Sequence, residues 1–166
     1  FTTGAPFDRS LGVPGEDLEG SFSATEFVAW YNGHPDFADR RFDLSQESVA
    51  IVGIGNVAMD VARILCKTYD ELAVTDIADH ALEALKNSKV KNVYILGRRG
   101  PAQAAFTPPE IKEMGEFDDA DVTVPSDEAI VDPASQAILD ESGDKNALKN
   151  VGFIQEYAQR PVDGKS

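Results

Sequence analysis

The sequence is poor in cysteine, histidine and long apolar runs, and each shortage excludes a class of protein. Its 166 residues contain one cysteine, Cys66, which permits neither an internal disulfide nor a cysteine metal cluster. The two histidines, His34 and His80, lack cysteine neighbours and an HExxH pattern, so we expect no metal site. The longest apolar stretch, at residues 49–54, is far shorter than the roughly 20 residues of a membrane-spanning helix. We therefore expect a protein of the reducing cytoplasm with no membrane-spanning segment.

Positive charge is scarce as well. The 15 lysines and arginines are outnumbered by 29 aspartates and glutamates, which gives a formal net charge of -14. Nucleic acid requires a basic surface that displaces counterions from its phosphates, so we expect no nucleic-acid partner. An acidic protein that binds an anionic cofactor must gather its few cations in one place. The adjacent pair Arg98 and Arg99 is therefore more informative here than in a basic protein.

The first 22 residues differ in composition from the rest of the chain. They are rich in glycine, proline and aspartate and are typical of a loop or linker. Ser23 and Glu26 then form the capping-box pattern of a helix start, and Gly33 marks the helix end. The chain starts at Phe1 without methionine, so we expect a piece of a longer polypeptide. The length suits one domain at residues 23–166, which we expect to be shortened at its carboxyl end.

Two short apolar runs, at residues 49–53 and 93–96, predict parallel strands buried on both faces. Between them we predict a helix over residues 56–69, with Val57 on its apolar face, and a second helix capped at Thr75 and Asp76. Further along the chain we predict a helix at 110–114, a strand at 122–124, and helices at 133–139 and 146–159. This order predicts an α/β, Rossmann-like three-layer domain with a parallel sheet.

The first strand leads into a GxGxxA pattern, formed by Gly53, Ile54, Gly55, Asn56, Val57 and Ala58. In such a pattern the first glycine permits the tight turn and the second lets backbone amides approach a pyrophosphate. The alanine allows the helix to pack closely on the strand. The start of the helix also offers free amides and a positive dipole. We predict dinucleotide binding, with a glycine-rich turn that serves packing alone as the alternative.

The end of the second strand indicates which dinucleotide is bound. An NAD site usually has an acidic residue there for the ribose 2′-hydroxyl, whereas an NADP site has arginine for the 2′-phosphate. This chain has Arg98 and Arg99 at that position. Their guanidinium groups match phosphate oxygens, which predicts a preference for NADP(H). The alternative is that the two arginines are surface cations that neutralise acidic neighbours.

A longer string around these arginines, GRRGPAQAAFT at residues 97–107, is similar to the adrenodoxin reductase type of ferredoxin-NADP+ reductase. The resemblance extends to other strings in the same order along the chain. These are PGEDL at 14–18, WYNGHPDF at 30–37, GNVAMDVARIL at 55–65 and TDIADHAL at 75–82. From Phe117 onward the match is generic.

The resemblance implies a two-domain flavoprotein that passes hydride from NADPH to FAD and then single electrons to ferredoxin. It implies that Ile54, Gly55, Asn56 and Val57 hold the pyrophosphate, while Arg98 and Arg99 hold the 2′-phosphate. It also implies nucleotide contacts for Arg9 and Glu110. A carboxylate beside a phosphate would be repulsive, so we expect Glu110 to orient a guanidinium or to accept a sugar hydroxyl.

The flavin site of that family has no counterpart in this chain. We therefore interpret residues 1–22 as the linker from the FAD domain and residues 23–166 as the NADP-binding domain, and we expect this segment alone to be inactive. No residue is a candidate general acid or base, because hydride transfer between stacked cofactors depends on orientation.

Other oxidoreductases and one non-enzyme share parts of this pattern. The small subunit of glutamate synthase has the same nucleotide fold. Thioredoxin reductase has an arginine pair at this strand end but also a CxxC pair, which this chain lacks. A nucleotide-binding module that acts as a redox sensor without catalysis is a further alternative. The string at residues 97–107 favours the ferredoxin reductase.

Overall fold

The computed structural model describes residues 9–161, which form seven α-helices, two short 3₁₀ helices and one two-stranded sheet. In chain order the helices and strands are α1 (Ala24–Tyr31), β1 (Ser48–Val52), α2 (Asn56–Cys66), α3 (Tyr69–Ala73), α4 (Asp79–Lys86), β2 (Asn92–Leu96), α5 (Pro108–Met114), α6 (Pro133–Ser142) and α7 (Lys145–Tyr157). None of these helices is long and apolar enough to cross a membrane.

The chain divides into two compact units. The first contains the described residues up to Glu47 together with Tyr69–Val90, and the second contains Ser48–Thr68 and the described residues from Lys91 onward. The predicted linker at 1–22 and domain at 23–166 stay predictions. Their outermost parts, residues 1–8 and 162–166, lie outside the described residues.

The first unit consists of α1, α3 and α4 and the loops around them. Ser23 caps α1 by accepting a hydrogen bond from the Glu26 amide at 3.4 Å, as the capping-box pattern predicts. Helix α4 begins at Asp79, so the predicted cap at Thr75 is wrong. The Thr75 hydroxyl instead donates to the Leu72 carbonyl at 2.7 Å, which closes the end of α3.

The second unit contains the sheet. Strands β1 and β2 are parallel and pair from Ser48–Asn92 to Val52–Leu96, and α2 contacts both strands. The predicted α/β class with a parallel sheet is confirmed. The prediction that both sheet faces are buried is wrong, because Val52, Tyr94 and Leu96 are 62%, 53% and 50% exposed. Side chains alternate between the faces of a strand, and α2 covers only the face with Ile51.

The remaining elements follow the predictions with local differences. Helix α2 ends at Cys66, and α5 begins at Pro108, which occupies its first turn as proline favours. Helices α6 and α7 are capped by Asp132 and Asp144. The predicted strand at 122–124 is wrong, since the one sheet of the described residues consists of β1 and β2.

Gly152 lies in the middle of α7, where a glycine lowers helix stability. A Cβ added there would meet no atom within 4 Å. Gly152→Ala should therefore raise the free energy of unfolding by about 0.5–1 kcal/mol, measured by urea denaturation. Gly115→Ala is the contrasting control. The added Cβ would lie 2.5 Å from the Tyr157 hydroxyl, so this substitution should lower the free energy of unfolding. A loss of stability in both variants would contradict this account of α7.

Candidate nucleotide-binding site

The loop between β1 and α2 contains the predicted dinucleotide fingerprint. The Gly53 amide donates to the Leu96 carbonyl at 3.0 Å, which continues the strand pairing. Its φ of +136° is a backbone conformation that favours glycine. Gly55 is the N-cap of α2 and has no side chain to cap the helix. The sharp turn therefore leads directly into a helix start whose first amides lack a side-chain cap.

The first turn of α2 is open on its outer side. Val57 is 51% exposed, so its predicted place on the apolar face is wrong. The buried face of the helix is formed instead by Ala58, Met59, Val61 and Ala62. The small side chain of Ala58 is 8% exposed. The helix thus packs through Ala58, Met59, Val61 and Ala62, while the side chain of Val57 in its first turn is exposed.

The loop after β2 lies directly against the fingerprint loop. A Cβ added at Gly97 would stand 2.9 Å from the Ile54 Cγ2 atom, so this close approach requires glycine. Arg98 and Arg99 follow at once, and both are exposed. Within residues 9–161, neither guanidinium forms an ion pair or a hydrogen bond. Two open positive charges therefore lie beside the loop at the carboxyl ends of both strands.

A third segment, residues 105–107, runs alongside the fingerprint loop. The Ala105 amide donates to the Ile54 carbonyl at 2.9 Å, and the Thr107 amide donates to Asn56 Oδ1 at 2.8 Å. Gly55 and Ala105 form a parallel bridge. The predicted ligand Asn56 thus uses its side-chain oxygen to hold the loop in place.

Glu110, in the first turn of α5, contacts the guanidinium of Arg63 on α2. Arg63 also lies 3.1 Å from Asp60 and 3.2 Å from Glu113, and Lys67 lies 3.0 Å from Glu113. We call Asp60, Arg63, Lys67, Glu110 and Glu113 the α2–α5 ion cluster. The Glu110 carboxylate is therefore paired with a cation within the second unit.

The sequence led us to expect that Glu110 orients a guanidinium or accepts a sugar hydroxyl, and it does contact the Arg63 guanidinium. The other members of the cluster were not predicted. The only signals were the spacing of Asp60, Arg63 and Lys67 on one helix and of Glu110 and Glu113 on another, which places each set on one helix face. The predicted ligand Arg9 is exposed and belongs to the first unit. The structure thus brings the fingerprint loop, Arg98 and Arg99 together in the second unit, with Glu110 in the same unit.

Burial raises the pKa of the Cys66 thiol on α2 to about 11. A raised pKa keeps the thiol protonated up to that pH, whereas an unfolded cysteine ionises near pH 8.5. Alkylation by iodoacetamide at pH 8 should therefore be at least about tenfold slower in the native protein than in urea. Mass spectrometry follows the reaction. Equal rates in both states would show that the thiol is an exposed and reactive one.

Comparisons with known proteins agree with this geometry. The chain is 45% identical over 164 residues to NADPH-ferredoxin reductase FprA of Mycobacterium leprae, covering 96% of this chain and 34% of the relative. It is 50% identical over 134 residues to mitochondrial NADPH:adrenodoxin oxidoreductase of Arabidopsis thaliana, covering 80% and 28%. The structure of Mycobacterium tuberculosis FprA in complex with NADPH matches with a TM-score of 0.90 at 44% identity, covering 98% and 35%. No protein-family model matches the chain.

The chain matches, over nearly all of its own length, a segment of adrenodoxin reductase-type NADPH-ferredoxin reductases. It spans about a third of the length of the curated relatives it matches. The resemblance inferred from residues 97–107 is therefore confirmed, and the glutamate synthase and sensor alternatives are not favoured.

Proposed function

We propose that this segment binds NADP(H) in an FAD-dependent ferredoxin-NADP+ reductase. The proposal rests mainly on the position of Arg98 and Arg99 beside a glycine loop. Among the described residues neither guanidinium has a partner, and the chain has a net charge of -14. The matching structure of Mycobacterium tuberculosis FprA, which covers 98% of this chain, was solved in complex with NADPH.

The donors of this loop suit a dinucleotide. The uncapped amides at Gly55, Asn56 and Val57 and the dipole of α2 would hold the pyrophosphate. Arg98 and Arg99 would neutralise the 2′-phosphate, and this charge would select NADP(H) over NAD(H). Gly53 and Ala58 would support the site through the turn and the helix packing. These residues bind and orient the nucleotide, and none of them transfers a proton.

Glu110 and Arg9 complete the proposed contacts. Because Glu110 is paired with Arg63, its carboxylate does not require a cation from the nucleotide side and is suited to accept a ribose hydroxyl. Arg9 is an exposed cation of the first unit, and the resemblance implies that it contacts the nucleotide. Both assignments rest on the family resemblance.

In the full-length protein, NADPH held by these residues would be the source of a hydride for FAD, whose site lies outside this segment. The two electrons would then pass singly to two molecules of ferredoxin. We place this reaction in the cytoplasm, since the one cysteine of the chain indicates a reducing compartment.

The test is NADPH-dependent reduction of ferredoxin by the full-length protein, followed by the absorbance of the iron–sulfur cluster. The proposal predicts bound flavin and ferredoxin reduction that requires NADPH. NADPH oxidation that requires glutamine and 2-oxoglutarate would support the glutamate synthase-like alternative. Nucleotide binding with neither flavin nor NADPH oxidation would support the sensor alternative.

A further inference from the structure

A buried amide on α7 contacts the segment that braces the fingerprint loop. Asn150 is 2% exposed, and its Nδ2 donates to the Phe106 carbonyl at 2.7 Å. Its Oδ1 is also buried, and within residues 9–161 it has no hydrogen-bond partner. A buried acceptor without a hydrogen-bond partner lowers the stability of the folded state, and an apolar side chain of similar size would avoid that cost. The favourable contribution of the Asn150 amide is therefore the hydrogen bond that its Nδ2 donates to the Phe106 carbonyl.

Phe106 lies between the two residues that hold the fingerprint loop. On one side Ala105 donates to the Ile54 carbonyl at 2.9 Å, and on the other Thr107 donates to Asn56 at 2.8 Å. The Phe106 carbonyl and the Thr107 amide belong to one planar peptide unit, so a shift of the carbonyl turns the amide with it. The Asn150 contact thus fixes the backbone through which the loop is held.

We infer that Asn150 is a positioning residue for the nucleotide, acting on residues 54–57 through Phe106; this inference rests on the proposed function. Asn150 lies 93 residues beyond Val57 in the chain and outside every string that carries the family resemblance. It contacts the Phe106 carbonyl, and the neighbouring amides of Ala105 and Thr107 contact the fingerprint loop. Its loss should therefore weaken NADP+ and NAD+ equally, since both have the pyrophosphate.

Tyr157 provides a matched control on the same helix. It is also 2% exposed, and its hydroxyl donates to the Ile111 carbonyl at 2.7 Å. Ile111 lies within α5 and makes none of the contacts of residues 105–107 with the fingerprint loop. Asn150→Leu and Tyr157→Phe each remove a buried donor that α7 offers to backbone carbonyls, those of Phe106 for Asn150 and of Ile111 and Lys112 for Tyr157. Only Phe106 lies between the residues that hold the fingerprint loop.

The experiment measures Kd for NADP+ and for NAD+ by isothermal titration calorimetry, with Tm, on the full-length protein. Asn150→Leu should raise both Kd values about tenfold. Tyr157→Phe should lower Tm to a similar degree and change each Kd less than about twofold. A purely structural role for Asn150 would lower Tm in both variants and leave both Kd values near wild type, and that result would overturn the inference.

If Asn150→Leu does not fold, the same substitution is made together with Gly152→Ala, which should stabilise α7. Failure of this double variant to fold would assign Asn150 a purely structural role and would also overturn the inference. Absence of NADP+ binding to the wild-type protein would instead reject the proposed function. The two failures are therefore distinguishable.

Discussion

Replacing Arg98 and Arg99 together with alanine should weaken NADPH binding by about a hundredfold or more and leave NADH binding nearly unchanged. Only NADPH has the 2′-phosphate that these side chains would neutralise. Hydrogen bonds that involve charged groups contribute about 1.5–3 kcal/mol each, and about 1.4 kcal/mol corresponds to a tenfold change in affinity. The pyrophosphate contacts at Gly55 to Val57 would remain, and they serve both nucleotides.

The chain offers a control with the same change in charge. Arg40 and Arg41 form a second adjacent arginine pair, in the first unit, and Arg40 is paired with Glu26 at 3.1 Å. Replacing Arg40 and Arg41 with alanine changes the net charge of this acidic protein by the same amount as replacing Arg98 and Arg99. If the effect of Arg98 and Arg99 is local, NADPH affinity in this control should change less than about threefold.

Steady-state kinetics with NADPH and with NADH, on the wild-type protein and the two double variants, tests whether Arg98 and Arg99 select NADPH. Equal losses for NADPH and NADH in the Arg98 and Arg99 variant would indicate damaged folding. No loss for either nucleotide would show that the arginines are surface cations, and the preference for NADP(H) would then be wrong.

Arg63→Met should lower the free energy of unfolding by about 2–3 kcal/mol. The Arg63 side chain is 22% exposed and contacts three carboxylates, those of Asp60, Glu110 and Glu113. Removing one partner of a buried ion pair costs about 3–5 kcal/mol, and partial exposure reduces this cost through solvent screening. Without Arg63, only Lys67 would remain to neutralise the α2–α5 ion cluster.

Urea denaturation of Arg63→Met is best compared with Lys86→Met. Lys86 and Glu83 lie 3.9 Å apart with side chains 52% and 68% exposed, and the Lys86 ammonium lies 5.2 Å from the centre of the Tyr69 ring. Losing this exposed ion pair and cation–π contact should cost less than about 1 kcal/mol. A loss at Arg63 as small as that at Lys86 would show that the α2–α5 ion cluster does not stabilise the second unit.

The parts of the structure that the sequence predicted have local causes. The start of α1 depends on Ser23, and the turn before α2 depends on Gly53, whose positive φ few other residues adopt. The arginine pair follows directly from the end of β2. In each case residues within a few positions determine the geometry, so a pattern in the chain is sufficient.

The parts that were missed depend on distant residues. Apolar runs predicted strands buried on both faces, but burial requires a neighbouring layer, and Val52 and Leu96 are exposed. Contacts of Arg63 with Glu110 and of Asn150 with Phe106 join positions more than 40 residues apart. No local pattern specifies such pairs, so the supports of the nucleotide loop become visible only in the fold.

The most direct test of NADP(H) binding is a crystal structure of the full-length protein with NADP+. We expect the pyrophosphate against the amides of Gly55 to Val57 and the 2′-phosphate within hydrogen-bond distance of the guanidinium groups of Arg98 and Arg99. Nucleotide bound with its 2′-phosphate away from both arginines would contradict this expectation.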